Sequence, residues 1–394
     1  MKVLVISHMF PISSEDNSGI FVQDQLLNLP KDCEIFVISV KPFIPPLIEK
    51  FRPINKNFKI KDKTKKIKNI KVLYIPYLHI PGTAFFPFEW ISIFISMFRI
   101  VMKLQKEKKF DIIHSHTVLP DGLVGLIYGI LLKIPTICTA HGSDINIYPF
   151  RDKISLILSK FVIKNTCSMV YVSNALKNKA NYIALANNQV VINNGYDPAK
   201  FSPMGKVKAR KMLNLSEKPT IVFVGNFLEV KGVKLLIPIL EKILEKIDNI
   251  QLISIGSGDL KNTISIEVTA KNLNEKFLFF DRQPHELISY WINAADLIIM
   301  PSISEGFPTL IPEVLACGRP IVAFNVGGIP EIINDEIGFL VPVGDISVFS
   351  KKVILALNKQ WDTKKIIKLG QKYSWYFISE KYYELYKKLT FSLE

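Results

Sequence analysis

The sequence predicts an α/β protein of two domains, each a parallel sheet covered by helices. Three observations carry that prediction. The chain has 394 residues, the length of two ordinary domains. Short, uninterrupted apolar runs recur along it, each ending in Gly, Asn, Ser or His and leading into a helical stretch, which is how strands buried on both faces read. The pattern also restarts: TIVFVGNFLEVKG at 220–232 repeats the strand-then-loop opening MKVLVISHMF of the N-terminus.

In the first half, residues 3–7 form a buried strand. The loop HMFPISSEDNSG follows, with Gly19 near its end, and a helix begins at about Ile20. Residues 35–40 give a second strand and 72–75 a third. Between them lies an irregular, Pro- and Lys-rich segment with ten basic residues against one acid, Asp62, from Lys50 to Lys71. Residues 84–109 are apolar and aromatic, then basic. Glu89 and Arg99 interrupt the run, which argues against a membrane span. Two readings stay open: a core-facing helix, or a helix lying in a membrane interface beside the basic loop. DIIHSH at 111–116 and TICTAHGSD at 136–144 are strands with polar ends. Ligands gather at the carboxyl ends of such strands, so His116 and His141 are expected to face a cleft. His114 and His116 have no third ligand at metal-binding spacing, which argues against metal. A strand at 169–173 leads into a helix opened by Asn174, and NNGYDPAKF at 193–201 holds turn signals that start a linker.

In the second half, residues 220–224, 251–256, 277–280 and 297–300 are strands. The most informative stretch is PSISEGFPTLIPEVLACGRPIVAFNVGGIPE at 301–331. Gly306 and Pro308 break the chain, and Thr309 suits the N-cap of a helix with Pro312 in its first turn. Gly318 ends that helix, and residues 320–324 begin another strand. The first N–H groups of such a helix attract anions, phosphate above all. Glu305 and Glu313 bracket the site. A carboxylate repels phosphate, so their expected partners are sugar hydroxyls beside it.

The segment EGFPTLIPEVLACGRPIVAFNVGGIPEII resembles the donor-site signature of the family 4 retaining glycosyltransferases, which have the GT-B fold. The resemblance covers nearly the whole chain, strongest after residue 220 and weakest across 41–109. It implies two Rossmann-like domains facing across a cleft: residues 1–203 for the acceptor, 204–372 for the nucleotide sugar, and a C-terminal helix at 373–394 crossing back to the first domain. It implies a metal-independent enzyme with no cofactor, using a UDP- or GDP-linked sugar as co-substrate. Glu305 would meet the donor sugar and Glu313 the ribose. The backbone of Gly306, Phe307, Pro308, Thr309 and Leu310 would hold the diphosphate, with Lys231 as its cation. The family usually has Arg where Asn226 stands here, so one cation is lost. Arg282, in DRQPHEL, would frame the base. Gly19 takes the place of a glycine near the donor phosphate, with Ser18 where the family often has a second. His141, in HGSD, corresponds to the central cleft histidine, with His116 and Asp144 on the acceptor side. The resemblance implies front-face displacement, in which the leaving phosphate helps to deprotonate the acceptor.

Net charge is +15, and residues 1–200 hold most of it, with 26 Lys and Arg against 14 Asp and Glu. With Lys61, Lys63, Lys65 and Lys66 beside the aromatic run, this charge points to an anionic membrane surface, and the resemblance implies a glycan or lipid-linked acceptor there. A basic nucleic-acid-binding protein is the rival from another class, but no recognition motif or aromatic stacking platform accompanies the charge. An epimerase or phosphorylase with two such domains is the rival enzyme. Cys33, Cys138, Cys167 and Cys317 are far apart and form no metal-like pair, consistent with a reducing cytoplasm. The N-terminus enters a strand at once, so no signal peptide is expected and the enzyme is placed at the inner face of the membrane.

Overall fold

The computed structural model describes residues 1–13, 16, 18–45 and 64–391. Lys61 and Lys63, with most of the basic segment, lie outside the described residues. The chain divides into two compact units: Met1–Asn193 with Tyr376–Glu394, and Asn194–Trp375. The first break falls earlier than the boundary expected after residue 203. The cause is local pairing. The Tyr196 N–H donates to the Tyr373 carbonyl at 3.0 Å, and the Trp375 N–H donates to the Tyr196 carbonyl at 2.9 Å, so NGYDPAKF is held by the second unit. Gly195 allows this approach, because a Cβ there would lie 2.8 Å from the Tyr373 carbonyl oxygen.

The first unit has eight strands: β1 (Lys2–Ile6), β2 (Glu34–Phe43), β3 (Thr64–Ile67), β4 (Ile70–Leu78), β5 (Ile112–His116), β6 (Thr136–Ala140), β7 (Ser168–Tyr171) and β8 (Gln189–Val191). Their order is β3-β4-β2-β1-β5-β6-β7-β8. All neighbours are parallel except β3 and β4. β1 is central: Val5 pairs with Val37 on one side and His114 on the other. Residues 3–6 are fully buried, as a strand covered on both faces requires. The segment expected to be irregular up to Lys71 ends in a hairpin instead. Lys68 turns the chain at φ 51°, and Lys65 and Lys66 stand exposed on the edge strand β3, where lysines discourage further strand pairing.

The helix Glu89–Lys108 resolves the two readings of the apolar run by having two apolar faces. Ile93, Met97 and Val101, spaced by four, sit in the sheet core with Leu4, Ile6, Ile113 and Tyr128. Ile91, Ile95, Phe98 and Met102 point to solvent, Ile95 with 67% of its surface exposed. The C-terminal helix Trp375–Phe391 belongs, from Tyr376 on, to this same unit. The Ser379 hydroxyl donates to the Gln25 carbonyl at 2.9 Å, and Tyr382 and Tyr386 are buried.

The second unit has six strands: β9 (Thr220–Val224), β10 (Gln251–Ile255), β11 (Phe277–Phe280), β12 (Leu297–Met300), β13 (Ile321–Phe324) and β14 (Gly338–Val341). They run in the order β11-β10-β9-β12-β13-β14, all parallel. This is a doubly wound sheet whose order reverses between β9 and β12, and the loops after those two strands therefore meet at a crevice. Its core joins Ile221, Phe223, Leu297 and Ile299 to Leu240, Phe324 and Phe349.

Candidate active site

In the second unit the site is built from the two loops at that reversal. The Ile303 N–H donates to the Val230 carbonyl at 2.8 Å, tying the β12 loop to the β9 loop. Gly232, at φ +66°, permits the approach, since a Cβ would lie 1.8 Å from the Pro301 carbonyl oxygen. The turn at 327–328 supports the same loop from the other side. Gly328 N–H donates to the Gly306 carbonyl at 2.9 Å. Gly327 sits at φ +57° with a Cβ position only 2.1 Å from the Glu305 carbonyl oxygen, so only glycine fits.

These loops bring Lys231 Nζ to 2.6 Å from Glu305 Oε1, and the Glu305 side chain is only 8% exposed. The two residues expected on phosphate and on sugar thus hold each other. Glu313 is also engaged. Its carboxylate is buried, and Oε1 lies 2.8 Å from His285 Nε2, whose ring packs on Phe201. His285 has no role in the sequence pattern of DRQPHEL; its position at the start of the helix His285–Ala294 was the available signal. The helix after the loop is Leu310–Ala316. Thr309 has helical torsions and makes no side-chain cap, so the expected N-cap is corrected: the chain is already turning at Thr309. Pro308 has no N–H and shapes the loop without donating. Phe307 is buried, and its carbonyl accepts from Asn194 Nδ2 at 3.1 Å. Asn226 and Arg282 are exposed at the ends of β9 and β11.

In the first unit, the ends of β5 and β6 gather three histidines. His114 Nδ1 meets the Tyr386 hydroxyl at 2.6 Å and Nε2 the Thr139 hydroxyl at 2.8 Å, so both nitrogens serve the core. His116 is fully buried beneath His141, with Nδ1 3.1 Å from His141 Nε2, and this corrects its expected exposure to the cleft. Burial pushes His114 and His141 down to about 3, and His116 well below its ordinary value. All three are neutral imidazoles at neutral pH. His141 is the partly exposed member and packs on Phe21 at 4.7 Å between ring centres. Asp144, expected on the acceptor side, is fully buried. Its carboxylate accepts from the N–H groups of Val118, His141 and Gly142 at 2.8–3.0 Å and holds the His141 loop in place.

The loop after β1 is equally constrained. Gly19 lies at φ +72°, with a Cβ position 2.2 Å from the Met9 carbonyl oxygen. Tyr74 donates to the Pro11 carbonyl at 2.6 Å, and Lys41 Nζ donates to the Phe10 carbonyl at 2.7 Å. Burial lowers the Lys41 ammonium to about 8. Sequence patterns did not reveal the pair His8 and Asp121, which lie 2.8 Å apart in the segments that follow β1 and β5.

Two family profiles match successive parts of the chain. Residues 62–200 match Glycosyltransferase Family 4, and residues 206–373 match Glycosyl transferases group 1. The chain belongs to the group 1, family 4 glycosyltransferases. One relative of this glycosyltransferase, assigned to teichuronic acid biosynthesis in Bacillus subtilis, is 26% identical over 340 residues, 85% of this chain and 83% of its own. Its fold is GT-B. It is similar to sucrose-phosphate synthase from Thermosynechococcus elongatus, with TM-score 0.77 and 19% identity over the whole of both chains. It is also similar to HepE of Anabaena, solved with UDP-glucose, with TM-score 0.71 and 17% identity over 99% of this chain and all of that one.

Proposed function

We propose that this glycosyltransferase moves a hexose-like sugar from a UDP- or GDP-linked donor to a hydroxyl acceptor with retention of configuration, without a metal or resident cofactor. The observation that carries the reading is the Lys231–Glu305 pair at the reversal point of the second sheet. A diphosphate draws Lys231 away from Glu305, and the released carboxylate then accepts hydrogen bonds from the sugar hydroxyls. Lys231 meets the charge that develops on the leaving diphosphate. Glu313, oriented by His285, is suited to the ribose hydroxyls. The UDP-glucose bound by HepE, of the same fold, agrees with this donor class.

The acceptor is proposed to be a glycan or lipid-linked hydroxyl presented at the inner face of a membrane. This reading is supported by the outward apolar face of Glu89–Lys108 and by a second one beside it. The helix Lys153–Asn165 exposes Ile154, Ile157 and Phe161, and Phe86, in the short turn Thr83–Phe88 before the first helix, packs on Tyr148 just before the second. A groove of about 570 Å³ runs along the first helix, lined by Tyr77, Leu78, Phe88, Ile91 and Ile95. The segment Phe85–Lys108 is long and apolar enough to cross a membrane by length and composition. Its buried stripe in the sheet core argues that it lies on the surface instead.

The test is turnover of a nucleotide-sugar panel with chelator present. Release of nucleotide diphosphate that requires acceptor, together with an unchanged anomeric configuration in the product by NMR, is the expected result. Release without acceptor, loss of activity on chelation or an inverted anomer each contradicts the corresponding part.

A further inference from the structure

Arg151 stands just before the helix Lys153–Asn165. The short turn Thr83–Phe88, which leads into the helix Glu89–Lys108, packs against both helices, so Arg151 lies where the two begin. All of these residues belong to the first unit. The guanidinium carbon is 4.7 Å from the centre of the Phe86 ring and 4.5 Å from that of Tyr148, and the two rings meet at 4.9 Å. Stacking on rings steadies the plane of an arginine and leaves its N–H fork open at the edge. Among the described residues that fork is unused: the Arg151 side chain makes no hydrogen bond and no ion pair. The two carboxylates that feel its charge are spent elsewhere. Asp152 accepts from the Ser155 N–H at 2.8 Å and from the Ser155 hydroxyl at 2.7 Å, and Glu89 lies 2.5 Å from His79 Nδ1. Lys153, exposed two residues on, also makes no ion pair among the described residues.

The rim around this cation is apolar. Ile147 and Phe150 precede Arg151, Ile154 and Ile157 follow it, Phe85 and Phe88 flank Phe86, and all six are exposed. Phe85 and Phe88 also line the groove along Glu89–Lys108. An apolar patch of this kind marks a surface that another body covers. Covering it strips Arg151 of water, and a buried charge without a partner is costly. The occupant therefore brings an anion and apolar surface to the same place. A phospholipid has both: phosphate oxygens that fit the guanidinium fork, and chains beside them. The basic excess of residues 1–200 and the exposed Lys65 and Lys66 favour an extended anionic surface over a single acidic protein.

We propose that Arg151, clamped by Phe86 and Tyr148, binds the phosphate of a bilayer phospholipid whose chains rest on the apolar rim. The inference rests on the membrane reading of the acceptor and gives that reading a specific headgroup contact. It involves neither the donor loops nor the transfer chemistry.

The experiment is sedimentation of the full chain with two kinds of vesicle. One is phosphatidylcholine with phosphatidylglycerol. The other is a neutral diglucosyl diacylglycerol, which has the same chains and no phosphate. Arg151→Lys keeps the charge but loses the fork and should bind phospholipid about three- to tenfold more weakly than wild type. Arg151→Gln should lose about tenfold or more. The loss in Arg151→Lys should persist at high salt, because it is a contact and not a long-range attraction. On the glycolipid, wild type and Arg151→Lys should bind alike, and both variants should keep the wild-type thermal midpoint. Equal binding of wild type and Arg151→Lys to phospholipid overturns the phosphate site and leaves the membrane reading standing. The same difference on both vesicles overturns it too, since Arg151 then acts through the rim and not through phosphate. Wild type that sediments with neither vesicle overturns the membrane reading and the inference with it, and makes an acidic protein the better occupant.

Discussion

Lys231 and Glu305 each stood out in the sequence as expected donor-site residues, but not as partners. The spacing of EGFPTLIPE and GNFLEVKG is local, whereas their 2.6 Å contact joins positions 74 residues apart. That contact shapes the first prediction. Lys231→Ala should weaken a nucleoside diphosphate by about 1.5–3 kcal/mol, the scale of a charge-assisted hydrogen bond, and leave a bare nucleoside nearly unaffected. Glu305→Gln should act oppositely on binding, because it frees the cation: turnover falls while affinity for the free nucleoside diphosphate holds or rises. Calorimetry with both ligands decides it, and parallel losses in both variants would remove the pair from the donor site. The buried histidines give a second prediction. His114 sits at about 3 and His116 well below 6.5 when folded, against about 6.5 when unfolded. Between those values the unfolded chain binds more protons, so stability falls as pH falls through the window. Each of the two contributes up to about 1.4 kcal/mol per pH unit there. His8, raised by Asp121, works in the other direction: its contribution is present at low pH and is lost as pH rises through its folded value. Urea midpoints at pH 7 and 5.5 should therefore differ, and equal midpoints would mean that the buried rings can take up protons in the folded state.

At the scale of elements, apolar periodicity located most strands within a few residues and misjudged the Lys-rich ones. β3 reads as a charged loop because an exposed edge strand needs no apolar face, and its pairing with β4 is supplied by the Lys68 turn. The helix Glu89–Lys108 was ambiguous because both of its faces are apolar; only packing shows which one the core takes. A third prediction follows for the face left outside. Ile95→Glu with Ile157→Glu should release the enzyme from anionic vesicles without unfolding it, because those side chains are 67% and 64% exposed. Lys65→Glu with Lys66→Glu should weaken binding in a salt-dependent way, by about 1 kcal/mol per charge near the surface. Vesicle sedimentation reads both, and a wild type that ignores anionic lipid at low salt refutes the membrane face. The glycine turn under Glu305 gives a fourth. Gly327→Ala combines a left-handed torsion with a Cβ position 2.1 Å from the Glu305 carbonyl oxygen, so it should cost more than about 1 kcal/mol and reduce turnover by displacing the loop. Turnover and stability both at wild-type values would show that the loop tolerates the shift.

For the whole molecule, the division of the chain predicts how it comes apart. The second unit is one continuous segment, Asn194–Trp375, whereas the first needs its final helix back from the far end of the chain. Truncation after Trp375 removes Tyr382 and Tyr386 from the first unit and strips His114 of its Tyr386 partner. Limited proteolysis of that truncated chain should therefore digest residues 1–193 and spare 194–375; equal resistance of both would show that the helix is dispensable. The sequence by itself determined that there are two α/β units built on largely parallel sheets, roughly where most of their strands lie, and which strand–loop–helix unit carries Glu305 and Glu313. These are written in local patterns: unbroken apolar runs, turn residues and the spacing within one strand–loop–helix unit. Only the tertiary structure decided who meets whom. It set His285 on Glu313, buried His116 under His141, turned Asp144 onto backbone N–H groups, and joined His8 to Asp121 across 113 residues and His114 to Tyr386 across 272. The physical reason is strand order. Each apolar run specifies that it will be a buried strand, but the sheet chooses its neighbours, and the chemistry sits where neighbouring strand ends are brought together.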